Sequence, residues 1–262
     1  MTETAVRASV AMAVYCGERY IKEQIDSILP MLSENDELVI SYDHSSDSTW
    51  NIIKEYEKSD ARVRVIANSK PGVQNNFTNA VCACRGKYIF LADQDDVWQG
   101  DKINTMVKLM EDTGAIIAMH DGYFTDGELN PQEKTIFETY GTYNGAFRNF
   151  VKCTYWGCCM AFDSRLIPFL CPFPNKHKVG HDLWIGVFGA KYGKIVRCDG
   201  KFILHRLHGD NKSTEKRRPM YQIIGHRLAL LRYIITRRIK LCGRRFPKKT
   251  SAAVKGAGSD ER

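Results

Sequence analysis

The sequence predicts an α/β fold: a doubly wound, mostly parallel sheet followed by an amphipathic C-terminal helix. Three observations predict it. Short apolar runs rich in β-branched residues alternate with segments of helical periodicity, and no internal repeat breaks the alternation. The chain has 262 residues, 44% of them hydrophobic, enough to bury a sizeable core. Its strand-like runs end in polar residues, at Tyr15, at Asp43 and at Asp93 to Asp96, and in doubly wound sheets ligands sit beyond the carboxyl ends of the strands.

From Ser9 to Tyr15 small and apolar residues make a buried strand. A Cys16-Gly17 turn follows, and ERYIKEQIDSILPML then places Tyr20, Ile21, Ile25, Ile28 and Leu29 on one helical face. Leu38 to Ser41 is a second strand, ending at Asp43 and the loop His44-Ser45-Ser46, after which Asp47 or Ser48 caps a helix from Thr49 to Lys58. Val63 to Ala67 is the third strand. Pro71 and Gly72 turn the chain into a helix from Val73 to Cys84, and Lys87 to Ala92 is the fourth strand. Right-handed crossovers between such units lay the strands parallel.

A helix from Lys102 to Asp112 and a strand from Ala115 to His120 continue the sheet. The stretch from Gly122 to Asn149, with many Gly, Thr, Asn and Tyr residues, reads as long loops with short strands. Trp156 to Phe162 is another strand. Past the turn Pro168 to Pro174, a helix begins near His181 or Asp182 and is ended by Gly193. Lys194 to Cys198 and Phe202 to His205 form two short strands that run into RLHGDNKST. From Pro219 to Cys242 apolar residues recur at Met220, Ile224, Leu228, Leu231, Ile235 and Ile239, a helical stripe flanked by Arg227, Arg232, Arg237 and Arg238. Residues 247 to 262 read as a flexible tail.

The net charge of +8 is unevenly spread: residues 201 to 249 hold 15 Lys or Arg against two acidic residues, +13, while residues 1 to 200 sum to −5. The mildly acidic main domain gives no reason to expect nucleic acid as a partner. Nine cysteines, an odd number with no CxxC pair, read as buried thiols in a reducing cytoplasm. The apolar run Ala8 to Cys16 lacks the basic lead of a signal peptide, and no run approaches the roughly 18 apolar residues of a membrane span. The expected location is therefore cytoplasmic, in solution or peripheral on the inner face of the cell membrane.

The chemistry concentrates in KYIFLADQDDVW, Lys87 to Trp98. A strand here delivers Asp93, Asp95 and Asp96 to one sheet edge, where their mutual repulsion is tolerated most easily if a divalent cation with oxygen ligands neutralises it. A solvated turn closing the strand is the other reading. The topology would gather Tyr15, Asp43 and this cluster on one rim.

Seven ordered blocks run through about residues 8 to 214: YCGERYIKEQIDSIL, VISYDHSSDST, PGVQNNFTNA, FLADQDDVW, GCCMAF, GHDLWIG and HRLHGDN. Together they resemble a family-two glycosyltransferase of the GT-A fold, in its rhamnosyltransferase-like bacterial branch. The resemblance implies a nucleotide-diphosphate sugar donor (dTDP- or UDP-linked), Mg2+ or Mn2+, and inversion at the anomeric carbon. Asp43 matches the carboxylate that accepts the imide N–H of uracil or thymine, with an Asx cap as its alternative role. Tyr15 would stack near the base or ribose. Asp93 and Asp95 match the DxD pair, the first near ribose or sugar hydroxyls and the second a ligand of the metal on the diphosphate. His208 resembles the late histidine that completes the metal or diphosphate site.

Asp182 resembles the base that takes the proton of the incoming hydroxyl, and a helix N-terminus favours its ionised form; an ordinary N-cap carboxylate is the alternative. Trp184 would offer an aromatic face to the acceptor sugar or lie in the core. Two departures stand out: Cys16 where the family commonly has Asn, and Tyr42-Asp43-His44 where it commonly has Asp-Asp-Gly.

The resemblance thus implies a transferase moving rhamnose or another deoxyhexose to a cell-envelope polysaccharide or lipid-linked glycan. Its nucleotide-binding half would span about residues 1–100 and its acceptor half about 101–214, with the basic helix over 215–246. A non-catalytic sugar-binding subunit of the same fold is the alternative, but such a protein would be expected to have lost Asp93, Asp95 or Asp182. The C-terminal stripe fits a leaflet contact near a lipid-linked acceptor, or packing on the domain or on a second subunit in a homodimer; periodicity does not separate lipid from protein.

Overall fold

In the computed structural model, which describes residues 5–142, 145–175, 179–208 and 220–247, the first part of the chain folds as three strand-helix units and a fourth strand. β1 (Ala8–Val14) feeds α1 (Ile21–Ile28), β2 (Asp36–Tyr42) feeds α2 (Thr49–Ser59), β3 (Val63–Ala67) feeds α3 (Val73–Ala83), and β4 (Tyr88–Asp93) completes the set. All four strands pair in parallel, in the order β3-β2-β1-β4. Side-chain alternation sets the layers. Val10, Met12 and Val14 of β1 join one apolar cluster with Ile21 and Ile25 of α1, whereas Ala11 joins a second cluster with Phe77, Ala80 and Val81 of α3. Each face of the sheet is therefore covered by helices, which is the doubly wound arrangement.

The second part contributes β5 (Val97–Trp98), α4 (Lys102–Thr113), β6 (Ile117–Thr125), β7 (Pro131–Thr135), α5 (Ile136–Tyr140), α6 (Ala146–Val151), β8 (Met160–Asp163), α7 (Ile167–Leu170), α8 (His181–Gly189), β9 (Ile195–Arg206) and α9 (Met220–Lys240). Among the described residues the sheet has nine strands and continues β4-β8-β6-β9-β5, with β7 on β6. β8 runs antiparallel to both β4 and β6, while β9 is parallel to β6. The sheet is thus parallel-rich with antiparallel members beyond β4.

Several elements differ from the sequence reading. The two short strands expected at 194–198 and 202–205 are one strand, β9; its register against β6 jumps from His120↔Cys198 to Asp121↔Lys201, so Asp199 and Gly200 form a bulge rather than a break. A 3-10 turn, Gly157–Cys159, replaces the first part of the strand expected from Trp156. Among the described residues the stretch from Gly122 holds the expected short strand, β7, but also two short helices, α5 and α6, the first fixed by a capping box in which Thr135 and Glu138 satisfy each other's backbone N–H groups. Of the nine cysteines only Cys158 and Cys159 are buried; Cys16, Cys82 and Cys242 are exposed, because they fall on turns and outer helix positions rather than in the apolar clusters. The segment 209–219, with the end of the HGDN block, and the tail expected after 247 lie outside the described residues.

α9 packs on the domain through a face other than the stripe its periodicity marks. Leu230 is fully buried and Tyr233 meets the Trp184 ring edge-on at 6.5 Å, so the helix packs on α8 through one face. The stripe of Ile224, Leu228, Leu231, Ile235 and Ile239 is a different face, and it is exposed.

Candidate active site

Five chain segments meet at the carboxyl ends of β1, β2 and β4, the start of α3 among them with Val73, Asn76 and Phe77. The loop after β1 brings Tyr15, Cys16, Arg19 and Tyr20; β2 ends at Asp43; β4 ends at Asp93, Gln94 and Asp95; and β9 delivers His205 and, just beyond it, His208. These residues line a cleft of about 520 Å3, within the size range of small-ligand sites.

The DQDD run is held from all sides. Gln24 on α1 donates to the Asp93 carbonyl at 2.7 Å, and the Arg206 guanidinium donates to the Asp95 carbonyl at 3.1 Å. Arg206 also pairs with Glu23 and lies over the Tyr20 ring, 4.6 Å from its centre. The Gln94 side chain grips the backbone of Tyr15 twice, accepting from its N–H at 2.8 Å and donating to its carbonyl at 2.9 Å. Gly17 lies beneath it, where a Cβ would stand 2.7 Å from the Gln94 oxygen and push that side chain off its hold on Tyr15. The second residue of the motif therefore ties the first cleft loop to the acidic one.

The acidic side chains divide into two groups. Asp96 is fully buried and paired with His205, Nδ1 to Oδ1 at 2.7 Å. Burial opposes a charge on His205, but the Asp96 carboxylate outweighs it and holds the imidazole well above the ordinary histidine value. Cys158 completes a buried trio, its sulfur 3.9 Å from His205 Nδ1. Because that nitrogen is engaged with Asp96, the trio is an internal ion pair with a thiol neighbour. Behind it Lys102 is also fully buried; desolvation brings its ammonium down to about 8, and its Nζ donates to the Cys158 carbonyl at 2.9 Å.

Asp93 and Asp95 face the cleft instead. Burial, then the charges of Asp96 and Asp95, push Asp93 up to about 8, and Asp182 adds to the shift. Burial and Asp96 push Asp95 upward against the pull of His208, whose Nε2 lies 2.9 Å from Asp95 Oδ2. Carboxylates whose charges penalise one another are a donor set suited to a divalent cation: Asp93 and Asp95 offer the hard oxygen ligands that Mg2+ and Mn2+ accept, and the His208 imidazole stands beside them.

Asp43 is buried on the cleft wall. Its oxygens accept from the Asn68 amide and, at 2.9 Å, from the Gly72 N–H, which leaves acceptor capacity on both. It does not cap α2; Asp47 takes the Thr49 N–H there. Tyr15 is half exposed at the rim. Cys16 has φ of +47°, a left-handed backbone that Asn tolerates better than most residues; its N–H is held by Ser45 Oγ at 2.9 Å. Tyr42 is buried against Trp50 at 4.9 Å and its hydroxyl takes the Ser45 N–H, whereas His44 is exposed.

Asp182 lies in the first turn of α8, near enough to Asp93 to raise it electrostatically. The preceding residue anchors that turn, the His181 ring packing 4.2 Å from Phe77 on the cleft wall. Trp184 is not part of the cleft. It is 1% exposed, stacked on Phe188 at 4.5 Å, and its indole N–H donates to the Leu170 carbonyl at 2.9 Å. Of the two roles open to it, the structure gives it the core, because two residues on from Asp182 the helix has turned away from the cleft. Gln94, His205 and Arg206 escaped the sequence reading, although all three sit inside the DQDD and HRLHGDN blocks.

The parallel-rich α/β sheet, with its acidic cluster beyond the strand ends, has the GT-A fold. S. aureus TarS, residues 1–349 in complex with UDP-GlcNAc, superposes with a TM-score of 0.64 at 15% identity over 89% of this chain and 73% of that one. The mannosyltransferase PcManGT from Pyrobaculum calidifontis, in complex with GDP-Man and Mn2+, gives 0.59 at 14% identity over 91% and 75%. The chain belongs to glycosyl transferase family 2, whose model matches residues 9–168. A curated relative, the Escherichia coli UDP-Glc:alpha-D-GlcNAc-diphosphoundecaprenol beta-1,3-glucosyltransferase WfgD, is 27% identical over 210 residues, 79% of this chain and 80% of its own.

Proposed function

We propose that this glycosyltransferase moves a sugar, with inversion, from a uridine-diphosphate donor to a lipid-linked glycan of the cell envelope, and that it requires a divalent cation. The observation that carries the reading is the convergence of Asp43, Asp93, Asp95 and His208 on one cleft with Asp182 beside it. Asp43 would accept the imide N–H of the base and Tyr15 would cover the base or ribose. Asp95 and His208, with Asp93 next to them, would hold Mg2+ or Mn2+, which when bound acts as a Lewis acid on the leaving diphosphate. Asp182 takes the proton of the acceptor hydroxyl; that oxygen forms its bond to the anomeric carbon as the carbon–diphosphate bond breaks on the opposite face, releasing the nucleoside diphosphate.

The relative's name supports uridine, a glucose-type sugar and a diphosphoundecaprenol acceptor; the PcManGT complex supports a divalent ion. The motif pattern favours a deoxyhexose on a thymidine donor, so the test includes both. Thermal shift with UDP-glucose, UDP-GlcNAc and dTDP-rhamnose, each with and without Mn2+, should show one uridine donor stabilising the protein, and only with the ion; at about 100-fold excess over Kd the gain is about 2.7 kcal/mol. A shift with dTDP-rhamnose alone moves the assignment to the deoxyhexose. Indifference to every donor, or to the ion, overturns the proposal.

A further inference from the structure

We propose that the exposed faces of α9 and α6 together form a surface that docks on an anionic lipid bilayer. At about 100° per residue, Tyr221, Ile224, Leu228, Leu231, Ile235 and Ile239 fall in one narrow sector of α9, roughly opposite the Leu230 and Tyr233 face that packs on the domain. All six are exposed, and Leu228 keeps 64% of its surface in solvent. A large apolar stripe left open on a helix that already has a buried face is not a core stripe in the wrong place; it is a second apolar face. Exposed Arg232 borders it on one side and exposed Arg238 on the other.

α6 repeats the pattern independently. Phe147 and Val151, one turn apart, are 80% and 61% exposed, and Arg148 and Lys152 beside them are exposed too. Arg227 of α9 donates to the Val151 carbonyl at 3.4 Å, so the two helices adjoin. Apolar side chains standing out between basic ones, on neighbouring elements, are the composition of a helix that lies in a membrane interface.

Charge decides between the occupants. Segments 145–152 and 220–247 contain nine Lys or Arg and no Asp or Glu. A second copy placed face to face would set like charges against each other, whereas an anionic leaflet complements all of them. No helix of the described residues is long and apolar enough to cross a membrane, so the contact is with the surface. α9 packs on α8, whose first turn carries Asp182, so docking would set the candidate base close to a lipid-borne acceptor. This last consequence rests on the proposed function; the docking does not.

Flotation of the full chain with vesicles of neutral phosphatidylcholine, or of the same lipid with about one-third phosphatidylglycerol, tests the surface without any sugar chemistry. Binding should need the anionic lipid and weaken with salt. Leu228→Asp/Ile235→Asp, Phe147→Ser/Val151→Ser and Arg232→Glu/Arg238→Glu should each lower vesicle affinity about tenfold or more while Tm and donor binding stay unchanged. Three outcomes overturn the proposal: a wild-type chain that ignores anionic vesicles, substituted chains that float equally well, or a solution dimer that Leu228→Asp dissociates, which would assign the face to a second copy.

Discussion

Asp182 occupies the second position of α8, half-buried, with one oxygen taking the Leu183 N–H at 2.6 Å, and the proposed function makes it the base. A group in that role is needed for proton removal and not for holding the nucleotide. Asp182→Asn should therefore lower transfer by about 10²–10⁴-fold while donor affinity, measured by calorimetry with Mn2+, changes little; a comparable loss of affinity would make the residue structural. The residues around it show what a motif carries and what it hides. The acidic DQDD was readable because carboxylates ending an apolar strand are chemically conspicuous. The work of Gln94 was not, because its partner is the backbone of Tyr15, 79 residues away, and backbone groups leave no mark in a sequence. His205 and His208, three apart, look alike as letters; the first pairs with the buried Asp96 and the second with Asp95.

Among the elements, α9 departs furthest from its pattern. Its regular stripe is open, and the packing face is made by Ala229, Leu230 and Tyr233, which a search for the strongest apolar period passes over. Two matched truncations separate the faces. Leu230→Ala should cost about 2–5 kcal/mol in urea unfolding, through lost burial and a cavity, whereas Leu228→Ala should stay within about 0.5 kcal/mol. Equal effects would show that both faces are packed. β9 carries the same lesson: its bulge at Asp199 and Gly200 looks like a turn in the sequence, and only pairing with β6 reveals one continuous strand that delivers His205.

Across the whole molecule, the acidic residues at the amino ends of the strands contrast with Asp93 and Asp95 at the carboxyl ends. At the amino ends they are compensated: Asp36 is buried and accepts from Arg7 Nε at 3.0 Å, from Ser33 Oγ at 2.7 Å and from the Ala8 and Ser33 N–H groups, and Glu37 pairs with Arg64 at 3.0 Å. Burial opposes the Asp36 charge, yet Arg7 and Ser33 outweigh it and hold the carboxyl below its ordinary value. The native state thus keeps the charge where the unfolded chain would take up a proton. The stabilisation is fully present above the ordinary Asp value of about 3.9 and is lost as pH falls through the lower native one. Asp36→Asn should cost about 2–3 kcal/mol at pH 7, and urea titrations should show the gap to wild type closing below about pH 4. At the carboxyl ends, Asp93 and Asp95 are left crowded, which is the strain a bound cation would relieve.

By itself the sequence determined the alternation of strands and helices, the strand ends on which Tyr15, Asp43 and the DQDD run would fall, and the excess of positive charge near the C-terminus, because these depend on local periodicity and composition. Only the tertiary structure decided that Asp95 meets His208 across 113 residues, that Trp184 belongs to the core, and that the α9 stripe remains uncovered. A period states which side chains share a face; what lies against that face is settled by the rest of the chain packing on it.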